Sequence, residues 1–283
     1  MRRCLAAAVL ALLLVPAVAE ARPRAGVAAL QVGLRANGLY LGDIDGIAGP
    51  GTRHAVRRFQ ARRGLVVDGI AGPATRRALG RRGRPRYGRR TMHTGMSGWD
   101  VAALQFILAR HGFPSGTVDG GFGPRLDAAV RRFQAWAGLG VDGVVGPGTR
   151  SALRRRRPHT SLHFYRPAAG PVGDRFGPRG DRFHSGLDFP LPYGARVQAA
   201  GRGCVTTAGY DAGGYGNLVV VQHRFGVSSW YAHLNAITVR RGQCLVGGTT
   251  VGTVGSTGFS TGPHLHFELR VRGAVIDPLR AFL

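Results

Sequence analysis

Apolar residues are spaced in three different ways along this chain. Leu5 to Val15 form a continuous apolar run behind Met1-Arg2-Arg3, ending in the small-residue stretch Ala17-Val18-Ala19-Glu20-Ala21. Between residues 27 and 79 the spacing is helical: Val27, Leu30 and Leu34 stop at Gly38, Ala55, Val56 and Phe59 stop at Gly64, and Pro73 opens a short third helix closed by Leu79. From Val172 onward the pattern shifts to short alternating runs between Gly and Pro, predicting strands over 197–205, 217–223, 227–231, 237–239, 250–254 and 264–271. No segment there has helical length.

The helical stretch returns, without a gap, 74 positions later. Leu30-Gln31 reappears as Leu104-Gln105, Asp45-Gly46 as Asp119-Gly120, Phe59-Gln60 as Phe133-Gln134, and Gly72-Pro73 as Gly146-Pro147. The copies differ at Thr52, where the second has Leu126. These patterns divide the chain into a leader (1–21), repeat 1 (26–80), a basic linker (81–94), repeat 2 (95–153), a second basic linker (154–170) and a β domain (171–283). Dense like charge in both linkers predicts extended, flexible tethers.

Charge sharpens this picture. All 39 basic residues are arginine, and the net charge is +25. Residues 22–166 carry 26 Arg against 7 Asp, so the positive field belongs mainly to the repeats and suits a polyanionic partner. The first 21 residues have the parts of a secretory signal peptide, with an apolar run too short to span a bilayer. Export favours a cell wall over nucleic acid as that partner. Cys204 and Cys244, the two cysteines outside the leader, are expected to form a disulfide.

The candidate chemistry lies in the β domain. In 264–271, Leu265, Phe267 and Leu269 fall on one face of a strand, with His264, His266 and Glu268 on the other. A surface strand could carry two such histidines by chance, but partners exist upstream. His184 and Asp188 are four apart in a Gly- and Pro-flanked segment, and with His266 they supply two nitrogens and one oxygen, the ligand set of a catalytic zinc with an open position. A third strand-like segment holds His233.

His184-x-x-x-Asp188, Tyr231-Ala232-His233-Leu234 and Gly262-Pro263-His264-Leu265-His266-Phe267-Glu268 resemble the three motifs of the M23 (LytM/lysostaphin-type) zinc metallopeptidases, which cut peptidoglycan peptides. The resemblance runs from Val172 to the C-terminus. It implies that His184, Asp188 and His266 bind one zinc ion, while His233 and His264 stay off the metal and act on the water and the developing oxyanion. The two copies resemble peptidoglycan-binding repeats of the PGBD-like type, which implies attachment to wall glycan or stem peptide.

Other chemistries fit less well. Gly258-Phe259-Ser260-Thr261-Gly262 matches a nucleophile elbow, but a strand rather than a helix follows it. No H-E-x-x-H occurs, and two carboxylates placed for glycan cleavage are not evident. The expected architecture is therefore two three-helix all-α repeats followed by an antiparallel all-β metallopeptidase domain, in an exported, wall-associated protein without a stable membrane span. The expected activity is zinc-dependent endopeptidase action on peptidoglycan. The alternative is a non-catalytic wall-binding regulator.

Overall fold

The computed structural model describes residues 22–155 and 158–283. The leader with its Cys4, and Arg156-Arg157 of the second basic run, lie outside the described residues. Among the described residues no helix is long and apolar enough to cross a membrane.

Repeat 1 contains α1 (Ala25–Arg35), α2 (Pro50–Arg62) and α3 (Pro73–Ala78), and repeat 2 contains α4 (Trp99–Arg110), α5 (Pro124–Ala137) and α6 (Pro147–Ala152). Four of these helices begin Gly-Pro, with the glycine extended as N-cap and the proline in the first turn, where its missing N–H costs nothing. Each Asp-Gly turn is held by a buried glutamine one helix earlier. Gln31 Nε2 donates to Asp45 Oδ1 (2.6 Å) while its Oε1 accepts from Gly46 N–H (2.9 Å). Gln60, Gln105 and Gln134 repeat this grip on Asp68-Gly69, Asp119-Gly120 and Asp142-Gly143. The turns therefore have a structural role, four times over.

Thr52, Thr75 and Thr149 add a hydroxyl acceptor for the glutamine. At the fourth such position Leu126 is buried in the core of repeat 2, and Gln105 donates to the carbonyl of Thr117 instead.

The two repeats share α4. Trp99, Ala102, Ala103 and Phe106 belong to the core of repeat 1, while Val101, Leu104 and Leu108 belong to that of repeat 2. A helix apolar on all sides has to be enclosed in this way.

The expected tether after repeat 1 is instead packed. Met92 is fully buried and pairs with Val145, Tyr87 lies against both helical cores, and Arg90 binds the buried Asp100 at 2.7 Å. Two apolar anchors and one ion pair outweigh the charge repulsion that predicts extension. The second basic segment also ends in contacts: Phe164 is buried and bridges to Phe282.

The β domain comprises β1 (Gly177–Arg179), β2 (Arg182–His184), β3 (Leu187–Pro190), β4 (Arg196–Gln198), β5 (Gly203–Asp211), β6 (Gly216–Gln222), β7 (Val227–Ile237), β8 (Cys244–Leu245), β9 (Thr250–Val254), β10 (His264–Val271) and β11 (Ala274–Ile276). β1 and β2 form a separate hairpin. The main sheet runs β11-β10-β7-β6-β5-β8, with β3 against β10 and with β9 joining β7 to β4. Every pairing is antiparallel. The single strand expected over 197–205 is broken at residues 199–202 into β4 and β5, whereas the runs 227–231 and 237–239 join in β7. Cys204 and Cys244 stand opposite each other on β5 and β8 and are disulfide-bonded.

The repeats dock on this domain through backbone contacts. Ile44 N–H donates to the Gly180 carbonyl (2.9 Å), and Val118 N–H donates to the Asp181 carbonyl (2.7 Å). Ile44 and Val118 are equivalent positions of the two copies, 74 apart. Asp43 Oδ1 also accepts from Gly180 N–H (2.7 Å), and the Gly112 carbonyl accepts from Val275 N–H (3.0 Å). Both repeats thus hold the tip of the β1–β2 hairpin, and that hairpin ends in His184.

Candidate metal centre

β10 has Leu265, Phe267 and Leu269 fully buried in the main core, as its alternation requires. On its other face His266 is flanked by two strands, with Asp188 of β3 as its direct cross-strand partner and Ala232 of β7 on the far side. His184 arrives from the end of β2. Three donor atoms converge: His184 Nε2 lies 3.1 Å from Asp188 Oδ1 and 3.1 Å from His266 Nδ1, and the last two are 2.8 Å apart. One ligand atom from each residue falls within 4.8 Å of the others.

The chemistry of this donor set fits a zinc ion. It offers two imidazole nitrogens and one carboxylate oxygen at a partly buried point. Each histidine also has an acceptor behind it, the Arg175 carbonyl at 3.0 Å from His184 Nδ1 and Glu268 Oε1 at 3.0 Å from His266 Nε2. Burial opposes charge at Asp188, yet the hydrogen bonds to His184 and His266 hold its carboxyl well below the usual carboxylate range. At His266 burial is likewise overcome by Asp188 and Glu268, which raise the imidazole to about 9. Arg179 accompanies the site from the β1–β2 hairpin, 3.3 Å from Asp188 Oδ2 and 2.7 Å from Asp174.

His233 and His264 stand beside the three donors with ring centroids 4.7 Å apart. His233 reaches this position through backbone geometry. Tyr231 and Leu234 both face the main core, so Ala232 and His233 fill the interval between them, and His233 adopts φ 61°. That left-handed conformation is uncommon for a residue with a Cβ and marks a functional position. Its Nδ1 faces the Thr257 carbonyl at 2.7 Å, and His264 Nδ1 faces the Gly262 carbonyl at 2.8 Å. Carbonyls only accept, so each Nδ1 carries a proton, and a ring that is neutral keeps its lone pair on Nε2. Burial lowers His233 to about 4, so it is neutral near pH 7.

All five residues singled out in the sequence are therefore neighbours. His223 stands apart, buried between the Arg202 carbonyl and Ser229 Oγ (2.8 Å each) and edge-on to Phe164, a structural role. Sequence reading gave no role to Glu268, Ser185, Tyr215, Arg270 or Arg179. One signal was available: Glu268 and Arg270, two apart on one strand face, are an ion pair in waiting.

The chain is similar to known proteins in both of its regions. The model of peptidase family M23 matches residues 182–278, and that of a peptidoglycan binding domain matches residues 23–79 and 97–153. The chain is 45% identical over 102 residues to a DD-carboxypeptidase/endopeptidase, Mpg, of Neisseria meningitidis serogroup B, covering 36% of this chain and 23% of that protein. It is 40% identical over 112 residues to the peptidoglycan DD-endopeptidase ShyA of Vibrio cholerae, covering 39% of this chain and 24% of the relative. Similarity to the murein hydrolase activator NlpD of Salmonella dublin is 37% over 114 residues, covering 40% of this chain and 30% of the relative. The chain thus matches less than a third of the length of each.

Proposed function

Since this chain carries a family M23 peptidase domain behind two peptidoglycan-binding repeats, we propose that it is an exported, zinc-dependent endopeptidase that hydrolyses peptide bonds in bacterial peptidoglycan, one zinc ion per chain, held to the wall by its repeats. The observation that carries this reading is the convergence of His184 Nε2, Asp188 Oδ1 and His266 Nδ1 beside two histidines whose Nδ1 atoms are held on backbone carbonyls. His184, Asp188 and His266 would hold the zinc, which when bound polarises a carbonyl and makes water a usable nucleophile near pH 7.

His233 and His264 do the proton work. With Nδ1 fixed on a carbonyl, each ring presents Nε2 in one orientation and can take a proton there, then return it to the leaving amine. Once protonated, each can donate to the oxyanion of the tetrahedral intermediate. Both need to be neutral at the start, and burial keeps His233 so. The leader-like residues 1–21 and the arginine surplus of the repeats support an extracytoplasmic, wall-associated location.

Similarity to an activator favours a second reading, a non-catalytic wall-binding regulator. The complete five-residue site argues against it. The two readings part in one assay with purified full-length chain and isolated peptidoglycan. An endopeptidase releases soluble peptide fragments, loses this with a chelator and regains it with zinc. A regulator releases none alone and accelerates a separate hydrolase.

A further inference from the structure

Glu268 has no part in the proton transfers above, yet it is fully buried and saturated with donors. Its Oε1 accepts from the Ser185 hydroxyl and from Tyr215 OH (3.0 Å), and its Oε2 accepts from Arg270 Nε (2.7 Å). Arg270 is fixed in turn: it lies 3.6 Å above the Trp230 ring and donates to Tyr215 OH at 2.7 Å. Because that hydroxyl accepts from Arg270, its own proton is directed to Glu268. The fourth group on the carboxylate is His266 Nε2, at 3.0 Å.

A carboxylate already committed to Arg270 can only accept, so His266 Nε2 carries a proton, and Nδ1 is the nitrogen left for a metal ion once the proton it shares with Asp188 is displaced. Nδ1 is the nitrogen that faces His184 and Asp188. His184 is arranged the other way round, with Nδ1 on the neutral carbonyl of Arg175 and Nε2 toward the centre. The two histidines therefore present different nitrogens, and only His266 is backed by a charge.

We propose that Glu268 is a positioning residue of the metal centre: it fixes His266 in the Nε2–H tautomer and strengthens Nδ1 as a ligand, while Ser185, Tyr215 and Arg270 hold the carboxylate in place. This rests on the zinc-peptidase reading. An outer carboxylate of this kind affects metal affinity by about ten- to a hundredfold.

The test compares full-length wild type, Glu268→Gln and Glu268→Leu, each checked for folding by circular dichroism. Zinc affinity is measured by competition with a chromogenic chelator, and the histidine ring protons of the zinc-loaded protein are followed by ¹⁵N-edited NMR. The expected result is about tenfold weaker zinc binding in Glu268→Gln and up to a hundredfold in Glu268→Leu. Saturating zinc should restore much of the turnover, which general damage to the fold would not allow. Wild type should show a slowly exchanging Nε2–H on His266, and Glu268→Leu a fast-exchanging one.

Should Glu268→Leu fail to fold, Glu268→Gln decides alone. A folded Glu268→Gln with zinc affinity within twofold of wild type overturns the proposal and leaves the peptidase reading standing. A wild-type chain that binds no zinc overturns both.

Discussion

Asp188 and His266 face each other directly across β3 and β10, with Oδ1 2.8 Å from Nδ1. Cross-strand neighbours on one sheet face are held by the ladder itself, so neither side chain depends on a loop for its position. Replacing His184, Asp188 or His266 by alanine should abolish both zinc content and peptidoglycan cleavage. Metal analysis beside initial rates reads this, and near-stoichiometric zinc in any of the three would remove that residue from the ligand set.

His233→Ala and His264→Ala should behave differently. Their Nε2 atoms supply protons and hydrogen bonds, so zinc should stay near one per chain while turnover falls about a hundredfold to a thousandfold. A zinc-free His264→Ala beside a zinc-loaded His266→Ala would reverse the roles within β10.

Part of a pH effect on stability should trace to His223, beside that of His233, which burial lowers to about 4. Burial, its main influence, lowers the His223 pKa below the ordinary value. Below about pH 6.5 the unfolded chain therefore binds a proton that the folded chain resists, and stability falls as pH drops from there toward the folded pKa. His223→Gln should flatten that part of the profile without altering zinc binding. Urea midpoints at pH 5 and 7.5 give the comparison, and an unchanged difference between the two midpoints would count against it.

The Cys204–Cys244 bond closes a loop with a sequence separation of 40. Constraint of the unfolded chain on that scale is worth about 3 to 4 kcal/mol. The Cys204→Ser/Cys244→Ser variant should melt several degrees lower, and oxidised protein lacking residues 1–21 should show no titratable thiol. Two free thiols in that protein would contradict the bond.

Gly38 and Gly112 are equivalent in the two repeats and test the docking. Both have positive φ, 69° and 85°. A Cβ at Gly38 meets nothing within 4 Å, whereas one at Gly112 would lie 2.4 Å from the Val275 carbonyl oxygen. Gly38→Ala should therefore cost only the left-handed strain of about 1 to 2 kcal/mol. Gly112→Ala should in addition loosen repeat 2 from the β domain, seen as faster hydrogen exchange at the Val275 amide. Equal exchange in the two variants would rule out a close contact there.

Much of the site was legible because its carriers obey simple periods. The alternation of β10 placed Leu265, Phe267 and Leu269 inward and the histidines together, and the Gly-Pro and Asp-Gly pairs placed the helix starts and turns. Glu268 was hard to read because period two identifies one buried face, while Tyr215 and Trp230 cover the second face from distant positions. The left-handed turn at His233 leaves no mark in a Tyr-Ala-His-Leu run. In the first basic linker, single apolar residues such as Tyr87 and Met92 were outnumbered by arginines, although burial of one methionine and half a tyrosine decides where that segment goes.

The hairpin contacts give the duplication a meaning apart from affinity. Ile44 and Val118, the same position in two copies, bear on consecutive residues, Gly180 and Asp181. A lever supported at a single point can pivot, and one supported at two adjacent points by parts of a shared rigid body cannot. Copy number here sets an angle: with one repeat the hairpin that ends in His184 would have a hinge at its tip, and with two it has a seat.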